Sequence, residues 1–284
     1  MIILSIDVGI LNLAYCLGNY EDGKFEIIEW DIINLIKEEI DSQHKCSHIS
    51  KMKPYNQCSN IAKFMIKNET EFFCKNHLKN YKKYIPPNII KIEDKSVCQK
   101  LECNKNGKYQ VNGILMCSSC KKQIETNFKN NYTLKKIKTI QCKTFPLEKI
   151  ADKIIQILDK DYNHFLNVDV ILIENQPAFK NPKMKTLSNY LAMYFRIRGI
   201  HDKEDNQLKN IIYYRATRKL EYNKNNTRAN KKTYKDRKKT AIENVNYYLY
   251  ENHDLNNYEF FNNNKKKDDL ADALLQILSY INKS

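Results

Sequence analysis

No stretch of the 284-residue chain approaches the ~20 consecutive apolar residues needed to cross a bilayer. A membrane helix, and a membrane as partner, are therefore not expected. The apolar opening, Met1 to Ile6, is interrupted by Asp7 and has no basic segment before it, so it does not read as a secretory signal. Without such a signal, nine cysteines argue for metal sites or free thiols over disulfides. Glycine and proline are scarce, six of each, and tryptophan occurs once. Beside abundant Asn, Lys, Ile and Tyr, that scarcity reads as an A/T-rich coding bias, not as a physical signal.

Acids are outnumbered. Lys+Arg 48 against Asp+Glu 33 gives a net charge of +15. Such an excess favours a polyanion, because neutralising phosphates releases counterions. A merely basic soluble protein fits the charge equally well. Hydrophobic content of 42% supports a real core, and the length allows one large or two small domains.

The apolar run Val168 to Ile173 reads as a buried strand tipped by Glu174, and Pro177 ends it. A carboxylate there packs poorly but sits where sheet tips open onto a ligand crevice. For a lone Glu, a residue pointing to water is the simpler reading. Two other acids have matching settings. Ile2 to Ile6 reads as a strand ending in Asp7, followed closely by Gly9, which permits close backbone approach. The strands 12–17 and 25–30, with Asp22-Gly23 between them, complete a three-stranded meander, and an amphipathic piece spans 31–40. Near the end, Leu270, Ala273, Leu274, Ile277, Leu278 and Ile281 make the core face of a helix. Asp269 and Asp272 share one side of its first turns. Helix capping is the competing explanation for them. Together, several carboxylates suit a two-metal phosphodiesterase, whose hard oxygen ligands select Mg²⁺ or Mn²⁺.

Between these motifs, residues 45–121 change character. Cys46, Cys58, Cys74 and His77 form one set of four soft ligands, and Cys98, Cys103, Cys117 and Cys120 a second. Each set ends in a two-residue spacer, as tetrahedral structural zinc requires, so two Zn²⁺ are expected. His44 and His48 are spare ligands for the first set, and scattered free thiols are the alternative. The stretch carries 15 lysines and 5 acids. Contact with nucleic acid and a solvated basic surface are both open. Short strands are expected at 72–73 and 114–116. The expected domains are a core of 1–44 and 122–284 with a zinc-binding insert at 45–121.

In the second half, 145–165 has helical periodicity, 185–198 is a helix and 210–214 a strand. Helix–strand alternation predicts an α/β layer. Residues 215–239 read as a mobile basic loop, with Tyr222 and Tyr234, running into a helix that begins near Thr233.

The segments Ser5-Ile6-Asp7-Val8-Gly9-Ile10 with Asn12, Ile173-Glu174-Asn175-Gln176-Pro177, and Lys267-Asp268-Asp269-Leu270-Ala271-Asp272-Ala273-Leu274 resemble the three acidic motifs of RuvC-type Holliday junction resolvases. The match is closer to the branch found in poxviruses, other large DNA viruses and fungal mitochondria. It covers about 1–40 and 145–284. The resemblance implies an α/β RNase H-like fold, a mixed central sheet with flanking helices. It implies a homodimer that nicks branched DNA in pairs at four-way junctions with Mg²⁺. The expected setting is the cytoplasmic virus factory of an infected cell or the virion, with the nucleus and the mitochondrion left open. Asp7, Glu174, Asp269 and Asp272 would be the catalytic metal ligands. Lys180, Lys183 and Lys185 would meet the scissile strand, with Arg215, Arg218, Lys219, Arg237 and Lys238 as further DNA contacts. Lys266 or Lys267 would assist. The insert, absent from minimal resolvases, is the departure. A flap, fork or RNA–DNA hybrid nuclease, and an inactive zinc-dependent binding protein, are the alternatives.

Overall fold

The computed structural model describes residues 1–51, 55–66, 71–79, 86–92, 96–132, 134–179, 181–203, 208–215 and 233–282. Its strands and helices run in this order: β1 (Ile2–Asp7), β2 (Leu13–Glu21), β3 (Lys24–Ile33), α1 (Lys37–Asp41), β4 (Phe64–Ile66), β5 (Phe72–Phe73), α2 (Lys75–Leu78), β6 (Ile89–Lys91), β7 (Tyr109–Val111) and β8 (Ile114–Met116). Then come α3 (Ser118–Asn131), β9 (Leu134–Lys136), α4 (Leu147–Asp161), β10 (Val170–Glu174), α5 (Pro182–Arg196), β11 (Asn210–Tyr214), α6 (Tyr234–Glu251), α7 (Leu255–Asn263) and α8 (Lys267–Ile281). The chain divides into two compact units, 1–38 with 141–284, and 39–140.

The first unit holds a five-stranded sheet in the order β11-β10-β1-β2-β3. The meander β1-β2-β3 is antiparallel, as its turn chemistry predicts, with Asp22 and Gly23 both at positive φ between β2 and β3. β10 and β11 run parallel to β1. This mixed central sheet, with helices around it, is the expected α/β architecture.

α8 packs on the inner face of β1 and β2, through Leu270, Leu274, Ile277 and neighbours against Ile3, Ala14, Cys16 and Leu172. The sequence predicts one core face for α8, but Ala271, Leu275, Gln276 and Ser279 are buried as well. The added cover comes from α6 and α7, whose Val245, Leu249 and Phe261 join the same core. Two buried hydrogen bonds fix the helix: the Trp30 indole N–H donates to the Leu270 carbonyl at 3.1 Å, and Gln276 Nε2 donates to the Leu172 carbonyl at 3.0 Å. Trp30 also stacks on Phe261, with ring centroids 5.3 Å apart.

The second unit holds two three-stranded sheets, β5-β4-β9 and β6-β7-β8. It runs past the expected 45–121 because β9 pairs with β4, which draws α3 and the chain up to residue 140 into this unit. Its apolar clusters are small. One groups Ile66 and Phe73, and the other groups Val111 and Met116 with three of the cysteines. Cores of that size do not hold a fold by apolar burial alone.

Candidate metal centres and acidic cleft

Three elements deliver the acids. Asp7 closes β1 and is only 8% exposed. Glu174 closes β10, which lies beside β1 in parallel. The last registered pair is Ile6 with Ile173, so Asp7 and Glu174 are the next residues on neighbouring strands. Asp269 lies in the first turn of α8 and Asp272 one turn on; both are half-buried. Asp7 and Asp269 line one open cleft of about 260 Å³, with Gly9, Asn12, Cys142 and Met184 on its walls.

The electrostatics match that geometry. Burial, then the neighbouring charges of Asp268 and Asp7, push the Asp269 carboxyl up to about 6. Burial and like charge both disfavour the ionised form of this carboxyl. The donors are hard oxygens with excess negative potential, a set that fits Mg²⁺ or Mn²⁺. Asp268 is different. Burial opposes its ionisation, but a hydrogen-bonded ion pair with Lys238 prevails and lowers its pKa. Asp268 and Asp269 lie in the first turn of α8, where the helix dipole favours acids, and the N-cap residue, Lys266, makes no side-chain cap bond. Gly9 is required locally: a Cβ there would lie 2.4 Å from the Asn12 carbonyl oxygen. The Gln176 amide donates to Glu174, and Asn175 N–H donates to the Tyr214 carbonyl at 2.7 Å, which ties the Glu174 tip to β11.

The two soft-ligand sets come together as the spacings predict. In each of Cys46, Cys58, Cys74, His77 and Cys98, Cys103, Cys117, Cys120, the four ligand atoms lie within 4.8 Å of one another. Tetrahedral zinc with Zn–S ~2.3 Å and Zn–N ~2.05 Å has S···S edges of ~3.8 Å and S···N edges of ~3.6 Å. The observed separations are 3.7 Å for Cys103–Cys117, 3.6 Å for Cys103–Cys120, and 3.5 Å from His77 Nδ1 to both Cys46 and Cys74 sulfur. The cavities therefore already have the dimensions of the ion. In the second set, the Ser119 hydroxyl and the Cys120 N–H bring the Cys117 thiol down to about 6, towards the thiolate that a metal needs. His44 and His48 are not in the first cluster. His44 stacks on Phe72 at 3.9 Å, and His48 stacks on the ligand His77 at 3.8 Å.

The basic residues expected at DNA divide. Lys180, Arg218 and Lys219 lie outside the described residues, as does Tyr222. Arg215 and Arg237 are exposed. Lys185 donates to Asn175 at 3.0 Å and lies over the Tyr213 ring at 4.5 Å. Lys183 turns inward. Its ammonium binds the carbonyls of Cys142, at 2.6 Å, and Phe145. It clamps the segment that carries Cys142 into the cleft wall, a role that no charge pattern announces.

A sequence profile for the family "Mitochondrial resolvase Ydc2 / RNA splicing MRS1" matches residues 3–178. The chain belongs to this family. It resembles the uncharacterized protein L451 of Acanthamoeba polyphaga mimivirus, at 32% identity over 315 residues, covering 99% of this chain and 74% of that protein. Solved structures similar to this member include the yeast mitochondrial Holliday junction resolvase Ydc2, at 14% identity, 98% of this chain, 78% of that chain and TM-score 0.45. The fowlpox virus resolvase, solved with Holliday junction DNA, aligns at 15% identity over 100% of this chain and 98% of that chain, TM-score 0.41. The profile spans both Asp7 and Glu174 and runs across the whole second unit.

Proposed function

We propose that this protein is a metal-dependent endonuclease that resolves four-way DNA junctions by paired nicking as a homodimer. The observation that carries the proposal is the meeting of Asp7 and Asp269 in one cleft, with Glu174 on the adjacent strand tip and Asp272 a turn along α8. These four carboxylates would hold the catalytic ions. Bound there, Mg²⁺ or Mn²⁺ supplies activation of a water and neutralisation of charge on the leaving 3′-oxygen. The chain orients the site by fixing α8 to β3 through Trp30 and by holding the Glu174 tip against β11. Of the cations expected at DNA, Arg215 and Arg237 are exposed and available to a phosphate backbone, with Lys180, Arg218 and Lys219 as further candidates. Lys183 and Lys185 serve the site by holding its walls. Paired nicks need two centres, which a two-fold homodimer provides. The cysteine sets hold two structural Zn²⁺ with every position filled by protein. The setting is the cytoplasmic virus factory of an infected cell or the virion, with the nucleus or the mitochondrion as alternatives.

The test is cleavage of a mobile four-way junction in Mg²⁺ beside linear duplex, a flap and an RNA–DNA hybrid, with Glu174→Gln in parallel. Symmetric nicks that vanish in the variant are expected. Preference for the flap or hybrid would move the substrate but keep the chemistry. Tight binding with no cleavage would overturn the nuclease reading and favour the splicing side of the family.

A further inference from the structure

The second unit has a composition unlike the first. Between residues 39 and 140 there are 20 lysines, 8 acids and no arginine; all six arginines of the chain, from Arg196 to Arg237, lie in the first unit. Arginine grips phosphate bidentately, whereas lysine is a point charge on a flexible stem, and either can reach a guanine edge. Exposed lysines attract a polyanion through its phosphates, a contact that carries no sequence information.

Part of that charge is concentrated by the fold. β9 lies antiparallel to β4, with Lys136 opposite Phe64 and Lys135 opposite Met65, and the ladder continues through Ile137 N–H to the Lys63 carbonyl at 2.9 Å. Lys63, Lys135, Lys136 and Lys138 are all exposed on these two neighbouring segments. Segments 58–66 and 134–140 contain no acid. Strand alternation puts Lys136 and Lys138 on one face of the ladder and Lys63 and Lys135 on the other, so the charge lines both sides of the β9 edge. Lysine on an edge strand also blocks edge-to-edge pairing.

We infer that the β4–β9 ladder of the second unit docks on the phosphate backbone of DNA through Lys63, Lys135, Lys136 and Lys138, and does so without regard to base sequence. The inference rests on the nuclease reading for its choice of DNA as the polyanion. Each lysine that neutralises a phosphate adds ~0.9 to the slope of log affinity against log salt on duplex DNA.

The experiment compares the full-length zinc-loaded protein with the quadruple Gln variant at these four positions. Fluorescence anisotropy would follow binding to a four-way junction and to linear duplexes of three unrelated sequences, across a salt series in Mg²⁺-free buffer. The expected result is a slope shallower by ~2–4, with Kd at least about tenfold weaker at ~0.1 M salt and equal losses on all sequences. The quadruple Arg variant should bind like the unmodified protein. If the quadruple Gln variant loses zinc, the pair Lys63→Gln with Lys138→Gln is read instead, with about half the slope change expected. A slope and Kd within twofold of the unmodified protein would overturn the inference and leave the lysines as edge guards or as a face for an acidic protein. Losses differing more than about tenfold between sequences would also overturn it. A protein that binds DNA with this lysine-dependent slope yet cuts no junction would sink the nuclease reading alone.

Discussion

Neutralising Asp269 should stabilise the metal-free protein, and by an amount that depends on pH in a defined direction. Its carboxyl is raised from 3.8 to about 6 by burial and by the charges of Asp268 and Asp7. For an acid raised in this way, the folded state holds its proton where the unfolded chain has released it. The residue is therefore neutral for stability below pH ~4, costs progressively more as pH rises from ~4 to ~6, and costs its full amount above that. A shift of this size is worth ~3 kcal/mol at 1.36 kcal/mol per pH unit, and partial solvent exposure brings that to roughly 2. The Asp269→Asn variant also forfeits a first-turn charge on α8, about 0.5 kcal/mol. The net expectation is a gain of about 1.5 kcal/mol at pH 7.5 and none at pH 4. Trp30, the only tryptophan, donates to the carbonyl of Leu270, next to Asp269. Its fluorescence during urea unfolding therefore reports on the first unit without interference from the second. Adding Mg²⁺ at pH 7.5 should raise the midpoint of the unmodified protein and leave the variant nearly unmoved. A variant that is less stable at pH 7.5, or a difference that does not change with pH, would refute the argument that burial and the neighbouring acids hold the Asp269 carboxyl up.

Changing Cys117→Ser with Cys120→Ser should remove one zinc equivalent and amide-exchange protection from β6–β8 and α3, with the Trp30 transition unmoved; unchanged zinc content would remove the second site. Gly9→Ala should cost about 1–3 kcal/mol, because the new Cβ meets the Asn12 carbonyl oxygen at 2.4 Å, and should weaken Mg²⁺ binding measured by calorimetry. Lys183→Met leaves carbonyls of Cys142 and Phe145 without their donor, for a loss of about 1–3 kcal/mol in urea unfolding. Junction affinity in that variant should stay within twofold, whereas a DNA contact at Lys183 would show as a weaker Kd and a shallower salt slope.

The elements legible from sequence were those with one strong local cause. The apolar runs ending in Asp7 and Glu174 became β1 and β10, and the Cys-x2-His and Cys-x2-Cys spacers became the two clusters. Both depend on residues close in the chain. α7 escaped because Leu255–Asn263 is rich in asparagine and weakly periodic, and it is held by an Asp254 cap and by Phe261 under Trp30. α3 escaped because Ile124 and Phe128 are its only large apolar residues, and its start is set by Cys117. The near-complete burial of α8 depends on α6 and α7 arriving from elsewhere, which periodicity within one helix does not encode. The inward bonds of Lys183 were hidden for a related reason: a lysine on a basic stretch looks like a phosphate contact, and the carbonyls it binds lie some forty residues earlier.

The pairing of β1 with β10 also governs the order in which the protein can assemble. Ile3 faces Val170, so the central strand of the sheet lacks one neighbour until 167 further residues have been made. At synthesis rates of 5–20 residues per second, that interval is roughly 8–35 s. Throughout it, β1 presents an unpaired apolar edge, the kind of edge that seeks a partner on another chain. The whole second unit is translated within the same interval, with its ligand sets complete at His77 and Cys120. With zinc bound to those sets, the second unit could complete its fold before β10 arrives to complete the sheet of the first.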